Sequence, residues 1–189
     1  MVIHQSLLSA DKIRPLLRTE FERMVELGLF DEDERIELLD GVLVKKMSPQ
    51  EPPHAEVIEW LSDALAQSVA RAFIVRTQMP FAAGKYALPE PDIAVVRRNR
   101  RRGAHPHEAV LLVEVANEPA RSDRTTKLDI YARAKVPEYW LVDVKKQCIE
   151  VYSKLVRGRY TRKRVLRDGD VLRPTLLRGV AIPVSDWPR

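Results

Sequence analysis

The sequence predicts an α/β fold, a mixed β-sheet flanked by helices and preceded by an N-terminal helix and a β-hairpin. Three observations carry this expectation. Val110-Leu111-Leu112-Val113-Glu114-Val115-Ala116 is the most apolar run in the chain, and a continuous run of this kind suits a strand covered on both faces. A helical stretch and then Tyr139-Trp140-Leu141-Val142-Asp143-Val144 follow it, a strand, helix, strand order that favours a right-handed crossover and a partly parallel sheet. Upstream, an Asp40-Gly41 step between two apolar segments has the left-handed turn chemistry that closes hairpins.

The elements follow in order. Over residues 19–28, Phe21, Met24, Val25 and Leu27 fall near helical spacing, with Thr19 as N-cap and Gly28 as stop. Residues 35–40 and 42–47 are the two arms of the hairpin. After Pro52-Pro53, Val57, Ile58, Leu61, Leu65 and Val69 repeat at a helical period and predict a second helix over 54–71. Residues 73–79 are β-rich, and Asp92-Ile93-Ala94-Val95-Val96, introduced by Pro89-Glu90-Pro91, reads as a strand entered from a turn. Ser122 or Asp123 caps a helix that runs towards residue 134 and is ended by Pro137. Short strands are expected at 149–152, 160–165 and near Val171, with Asp168-Gly169 as another turn.

Composition removes whole classes of function. With 189 residues, no internal repeat and 13 scattered prolines, the chain reads as one domain over 1–189. No apolar run approaches the ~20 residues needed to cross a bilayer, and Met1-Val2-Ile3-His4-Gln5-Ser6 lacks the basic start and apolar stretch of a secretory signal. Cys148 is the only cysteine, which excludes an internal disulfide and a zinc site built on paired cysteines; a reducing cytoplasm fits. Lys plus Arg number 32 against 27 Asp plus Glu, a mild bias towards polyanions. There is no Gly-x-Gly-x-x-Gly, Walker loop, Gly-x-Ser-x-Gly or His-Glu-x-x-His, so dinucleotide, triphosphate, serine-hydrolase and zinc-protease readings have no support.

Glu114 is the anomaly, because a carboxylate inside Leu-Leu-Val-Glu-Val must find a partner or bear a large desolvation cost. Asp92 opens the preceding apolar strand. If the two strands are neighbours, their carboxylates, with the Val115 carbonyl, converge as hard oxygen ligands suited to Mg²⁺ or Mn²⁺. The plain alternative is that Asp92 caps a turn and Glu114 pairs with an arginine. Lys127 lies early in the following helix, on one face with Asp123 and Tyr131, where it can reach back to the strand end. There it could stabilise charge on a phosphate or act on an attacking water; its plain alternative is a helical salt bridge with Asp123.

Pro91-Asp92, Val113-Glu114-Val115, Asp123 with Lys127 and Tyr131, and Glu138-Tyr139-Trp140-Leu141-Val142-Asp143, in this order, resemble the Uma-type family of restriction-endonuclease-like proteins, a branch of the PD-(D/E)XK nuclease superfamily once catalogued as a domain of unknown function. Glu37-Leu38-Leu39-Asp40-Gly41, Met47-Ser48-Pro49 and His54 extend the likeness over most of the chain. The resemblance implies a restriction-endonuclease-like core in which Asp92 and Glu114 bind the metal and Glu37 adds a third carboxylate. The superfamily's usual lysine, two residues after the second acid, is here Ala116, and Lys127 matches the branches in which it has moved to the next helix. Asn117-Glu118-Pro119-Ala120 stands where relatives carry a Ser-Pro-Ser-Thr-like turn.

His54 and Asp123 are possible supporting residues; a histidine at a helix start is more often a capping or packing group. Asp143 is expected to satisfy loop donors, and Tyr131 and Trp140 to fill the core. Arg97, Arg98, Arg100, Arg101 and Arg102 follow the Asp92 strand, and are expected to emerge close to the metal and grip a phosphate backbone. A second basic set, from Arg157 to Arg167, is left unassigned. The functional expectation is a Mg²⁺- or Mn²⁺-dependent endonuclease hydrolysing DNA phosphodiester bonds, working as a homodimer by resemblance. The alternatives are a non-catalytic nucleic-acid-binding or protein-interaction module on the same scaffold, and a hydrolase of another phosphate ester.

Overall fold

In a computed structural model, which describes residues 13–31, 34–46, 52–98, 103–117 and 123–188, the apolar runs assemble into a six-stranded sheet. Met1-Val2-Ile3-His4-Gln5-Ser6, Met47-Ser48-Pro49, Arg100, Arg101, Arg102, Glu118-Pro119-Ala120 and Ser122, named above, lie outside the described residues. The chain runs α1 (Arg18–Glu26), β1 (Ile36–Leu39), β2 (Val42–Lys45), α2 (Pro52–Ser68), β3 (Phe73–Thr77), β4 (Ile93–Arg97) and β5 (Leu111–Ala116). A π-helical turn (Asp123–Lys127) leads into α3 (Leu128–Arg133), followed by β6 (Glu138–Asp143), β7 (Cys148–Val156), β8 (Arg159–Leu166), β9 (Val171–Leu172) and β10 (Ile182–Pro183). The sheet order is β3-β4-β5-β6-β7-β8, and only β5 and β6 pair in parallel, across the helical crossover.

Alternation along the strands builds two cores. Ile93, Val95, Leu111, Val113, Val115, Trp140 and Val142 face Val57, Ile58, Leu61 and Leu65 of α2, together with the C-terminal segment carrying Leu172, Ile182 and Trp187. Ala94, Val96, Leu112, Tyr139 and Leu141 face Ile130 and Tyr131 of α3, with Phe81. Glu114 shares the parity of Leu112, and Asp92 that of Ala94, so both carboxylates belong to the α3 side.

The hairpin forms as its turn chemistry requires: Asp40 has φ 49° and Gly41 φ 80°. It docks on the segment before β4 through Leu88 N–H to the Leu38 carbonyl at 2.8 Å and Gly41 N–H to the Tyr86 carbonyl at 2.7 Å. A β-carbon on Gly41 would lie 2.8 Å from Pro15 Cα, so the docked turn needs glycine for space as well as for φ.

Three expectations are corrected. Thr19 does not cap α1; Leu17 is the cap residue, and Glu20, at the third helical position, reaches back to accept its N–H at 2.8 Å. Of the apolar residues on that helix only Phe21 is buried, whereas Val25 and Leu27 are exposed. α3 stops at Arg133 with Ala134 as its cap, near the expected end, but it is ended by Lys135 rather than Pro137: the Lys135 φ of 60° turns the chain out of the helix, and Val136 N–H bonds the Tyr131 carbonyl at 3.0 Å. Among the described residues no helix is long and apolar enough to cross a membrane.

Candidate active site

The site grows out of strand register. β4 and β5 are antiparallel with Ile93 opposite Val113, so the next pair outward sets Asp92 across from Glu114 at the sheet's end. Asp92 is held there because its Oδ2 accepts the Val115 N–H at 2.8 Å, which replaces a ladder bond where β4 begins. The hairpin brings in Glu37, whose Oε1 accepts the Glu90 N–H at 2.7 Å. Glu37, Asp92 and Glu114 are all buried.

Two ammonium groups enter among these acids. Lys127, at the junction of the π-helical turn and α3, donates from Nζ to Glu37 Oε1 and to Glu114 Oε1, each at 3.0 Å. One turn on, Tyr131 donates its hydroxyl to the same Glu114 oxygen at 2.6 Å. The second ammonium was not foreseen: Lys46, just past β2, donates to Asp92 Oδ1 at 3.0 Å and to the Glu90 carbonyl at 2.8 Å. His54, in the first turn of α2, is buried; its Nε2 donates to the Val115 carbonyl at 2.8 Å and stands 3.9 Å from Asp92 Oδ2.

Burial pushes the Glu114 carboxyl up to about 7, Lys127 opposes the shift, and Asp92 and Glu37 add to it by repulsion. Burial alone would lower the Lys127 ammonium, but the Glu114 and Glu37 carboxylates outweigh it and raise the pKa above the usual lysine value. Lys127 is therefore an ammonium donor rather than a base in this arrangement. Tyr131, raised by burial and by Glu114, stays a protonated donor. Among the described residues, no three His, Cys, Asp or Glu side chains form a finished metal cage. The carboxylates meet lysines instead.

The sequence-derived candidates thus divide. Glu37, Asp92, Glu114, Lys127 and His54 come together. Asp123 opens the π-helical turn, and its side chain lies outside the described part. Glu114 pairs with Lys127 and not with an arginine. Arg97 and Arg98 are corrected in position: they leave β4 at the end opposite Asp92, roughly 16 Å away along the strand. There the Arg97 guanidinium lies 5.4 Å from the centre of the Phe73 ring, and Arg98 Nε donates to the Arg71 carbonyl at 3.1 Å. Tyr131 packs in the core as expected, but its hydroxyl serves the site. Asp143 does satisfy the following turn, accepting Lys146 N–H at 3.0 Å, and Trp140 is fully buried.

A six-stranded mixed sheet flanked by helices and preceded by a helix and a hairpin is the architecture of a restriction-endonuclease-like fold. The chain belongs to the Uma2 family, described as "Putative restriction endonuclease", whose model matches residues 18–185. Among solved structures, a crystal structure from Anabaena variabilis ATCC 29413, described as a putative nuclease belonging to DUF820, is similar with a TM-score of 0.71 and 17% identity, covering 92% of this chain and 97% of that one. Among curated proteins no match is found.

Proposed function

We propose that this protein is a divalent-metal-dependent endonuclease acting on DNA phosphodiester bonds, with its chemistry at Asp92, Glu114 and Lys127. One observation carries the reading: three buried carboxylates from separate segments gather with two ammonium groups, Lys127 at 3.0 Å from both Glu37 and Glu114 and Lys46 at 3.0 Å from Asp92, an arrangement too costly in desolvation to serve packing alone. The donor chemistry fits Mg²⁺ or Mn²⁺. Mg²⁺ keeps several waters and takes one or two carboxylates plus substrate phosphate, so Asp92 and Glu114 with the Val115 carbonyl suffice without a complete protein cage. Glu37 would hold the far side of Glu114's lysine or join as a third ligand.

When bound, such an ion supplies Lewis-acid stabilisation of the phosphate and a more acidic water. The chain's own groups do the rest. Lys127 presents a fixed positive charge beside the phosphate and offsets the negative charge that develops during displacement. Tyr131 and Glu37 hold Glu114 and Lys127 in place, and His54 fixes the Val115 carbonyl. Arg97 and Arg98 are proposed as phosphate-backbone contacts away from the cut, and Arg100, Arg101 and Arg102, which follow them in sequence, as further phosphate contacts. Two copies facing opposite strands would make a double-strand cut, which sedimentation of the protein with DNA tests.

The decisive assay is nicking of plasmid DNA with Mg²⁺ or Mn²⁺. The expected result is cleavage by wild type and none by Asp92→Asn or Glu114→Gln, both folded by circular dichroism. Wild-type inactivity across salt and substrate types, or equal cutting by the variants, rejects the reading. DNA retention without cleavage would instead favour a non-catalytic binding module.

A further inference from the structure

Lys46 is a charged side chain at the site that neither sequence motif nor resemblance pointed to. Its main chain is anchored, with the N–H bonded to the Arg35 carbonyl at 2.8 Å, and its side chain is about 10% exposed. Asp92 has two oxygens. Oδ2 is committed to the Val115 N–H, so Oδ1 is the one left for a ligand, and Lys46 Nζ sits on it at 3.0 Å. Glu37 and Glu114 are meanwhile served by Lys127. In formal charge, two ammonium groups stand against three carboxylates.

An ammonium and a divalent cation on the same Oδ1 compete for it, because at contact distance in a partly dry site they repel strongly. Lysine has three donors on a flexible four-carbon stem, so Lys46 can leave Asp92 without moving its main chain. A freed ammonium at this place lies in the field of the Glu90 and Glu114 carboxylates, and the phosphate drawn in by the cation adds a further anion for it to meet. We propose that Lys46 is a second cationic residue of the site, which occupies Asp92 Oδ1 in place of a divalent ion and, once displaced, binds the substrate phosphate. The inference rests on the metal-dependent reading above and adds to it a residue of this chain that the motif does not name.

The test is calorimetric titration of the full chain with Mn²⁺, for wild type, Lys46→Met and Lys46→Arg, with urea unfolding as the check on folding. Lys46→Met should bind Mn²⁺ about tenfold more tightly than wild type, on the order of 1.4 kcal/mol, while Lys46→Arg, which keeps the charge, stays near wild type. With Ca²⁺ bound, Lys46→Met should hold a short fluorescent duplex several-fold more weakly by anisotropy. Equal or weaker Mn²⁺ binding by Lys46→Met overturns the place-holding role, and unchanged duplex affinity overturns the phosphate role. No Mn²⁺ binding by either wild type or Lys46→Met would overturn the metal-dependent reading as well, an outcome distinct from equal binding.

Discussion

Replacing Lys127 by methionine in the metal-free protein should destabilise it by an amount that depends on pH. The ammonium contacts Glu37 and Glu114 at 3.0 Å each, and all three side chains are less than about one-tenth exposed. Removing one partner of a buried pair costs about 3–5 kcal/mol, because a buried charge is left without compensation. Glu114 has an escape, since burial has already raised its carboxyl to about 7. An unfolded glutamate titrates near ~4.3, so between these values the folded state holds a proton that the unfolded state has lost, and wild-type stability falls as pH rises through this window. Lys127, with its pKa raised, keeps its charge throughout. The variant should therefore lose about 3–5 kcal/mol at pH 8, where Glu114 of the wild type is ionised, and about 1 kcal/mol less at pH 5, where it is protonated, since one pH unit above a pKa of about 7 is worth ~1.4 kcal/mol. Urea unfolding with a chelator present at both pH values measures this. A loss under ~1 kcal/mol at pH 8, or the same loss at both pH values, would refute the reasoning from a buried ammonium between two acids.

Tyr131→Phe removes the 2.6 Å donor to Glu114 and should cost about 1–3 kcal/mol at pH 8 and less at pH 5; equal stability at pH 8 would show that the hydroxyl does not serve the carboxylate. Gly41→Ala meets both a φ of 80° and overlap with Pro15, and should lose upwards of ~1 kcal/mol by urea unfolding, with no change contradicting the docked hairpin. Replacing Arg97 and Arg98 together by alanine should lower the salt dependence of DNA binding by about 1–2 in slope and leave Mn²⁺ affinity unchanged, as calorimetry and anisotropy would report. A change in Mn²⁺ affinity would conflict with their place at the far end of β4.

Much of the fold was legible because each signal was local. The Asp40-Gly41 turn, the helical spacing of Val57, Ile58, Leu61 and Leu65, and the unbroken apolar run around Glu114 each named their own element. The register of β4 against β5 was not local, yet an acid at the start of one apolar strand and another inside the next are informative as soon as the strands are neighbours. Lys127 and Tyr131 could be placed on one helix face by their i, i+4 spacing. That the Tyr131 hydroxyl meets Glu114 depends on how α3 lies on the sheet, which spacing does not encode.

Lys46 carried no signal at all. It follows the exposed strand Val42–Lys45, where a lysine reads as a solvated hairpin end, and only the docking of the hairpin on residues 86–90 turns it inward. The place of Arg97 has the same origin in reverse: it follows the Asp92 strand in sequence, but a five-residue strand separates the two ends in space. The α1 cap is hidden in the sequence because Thr19 is a strong capping type, while the observed cap works through the Glu20 side chain and a main-chain N–H, which any residue except proline supplies at 17. Strand β10 escaped notice because it is only two residues long and contains Pro183.

A crystal of the protein soaked in Mn²⁺ and measured for anomalous scattering addresses the central claim most directly. The account predicts a peak about 2.1–2.2 Å from carboxylate oxygens of both Asp92 and Glu114, with the Lys46 ammonium withdrawn from Asp92 Oδ1. Full occupancy of Mn²⁺ elsewhere, or no peak at these acids with Lys46 and Lys127 still in place upon them, would contradict it.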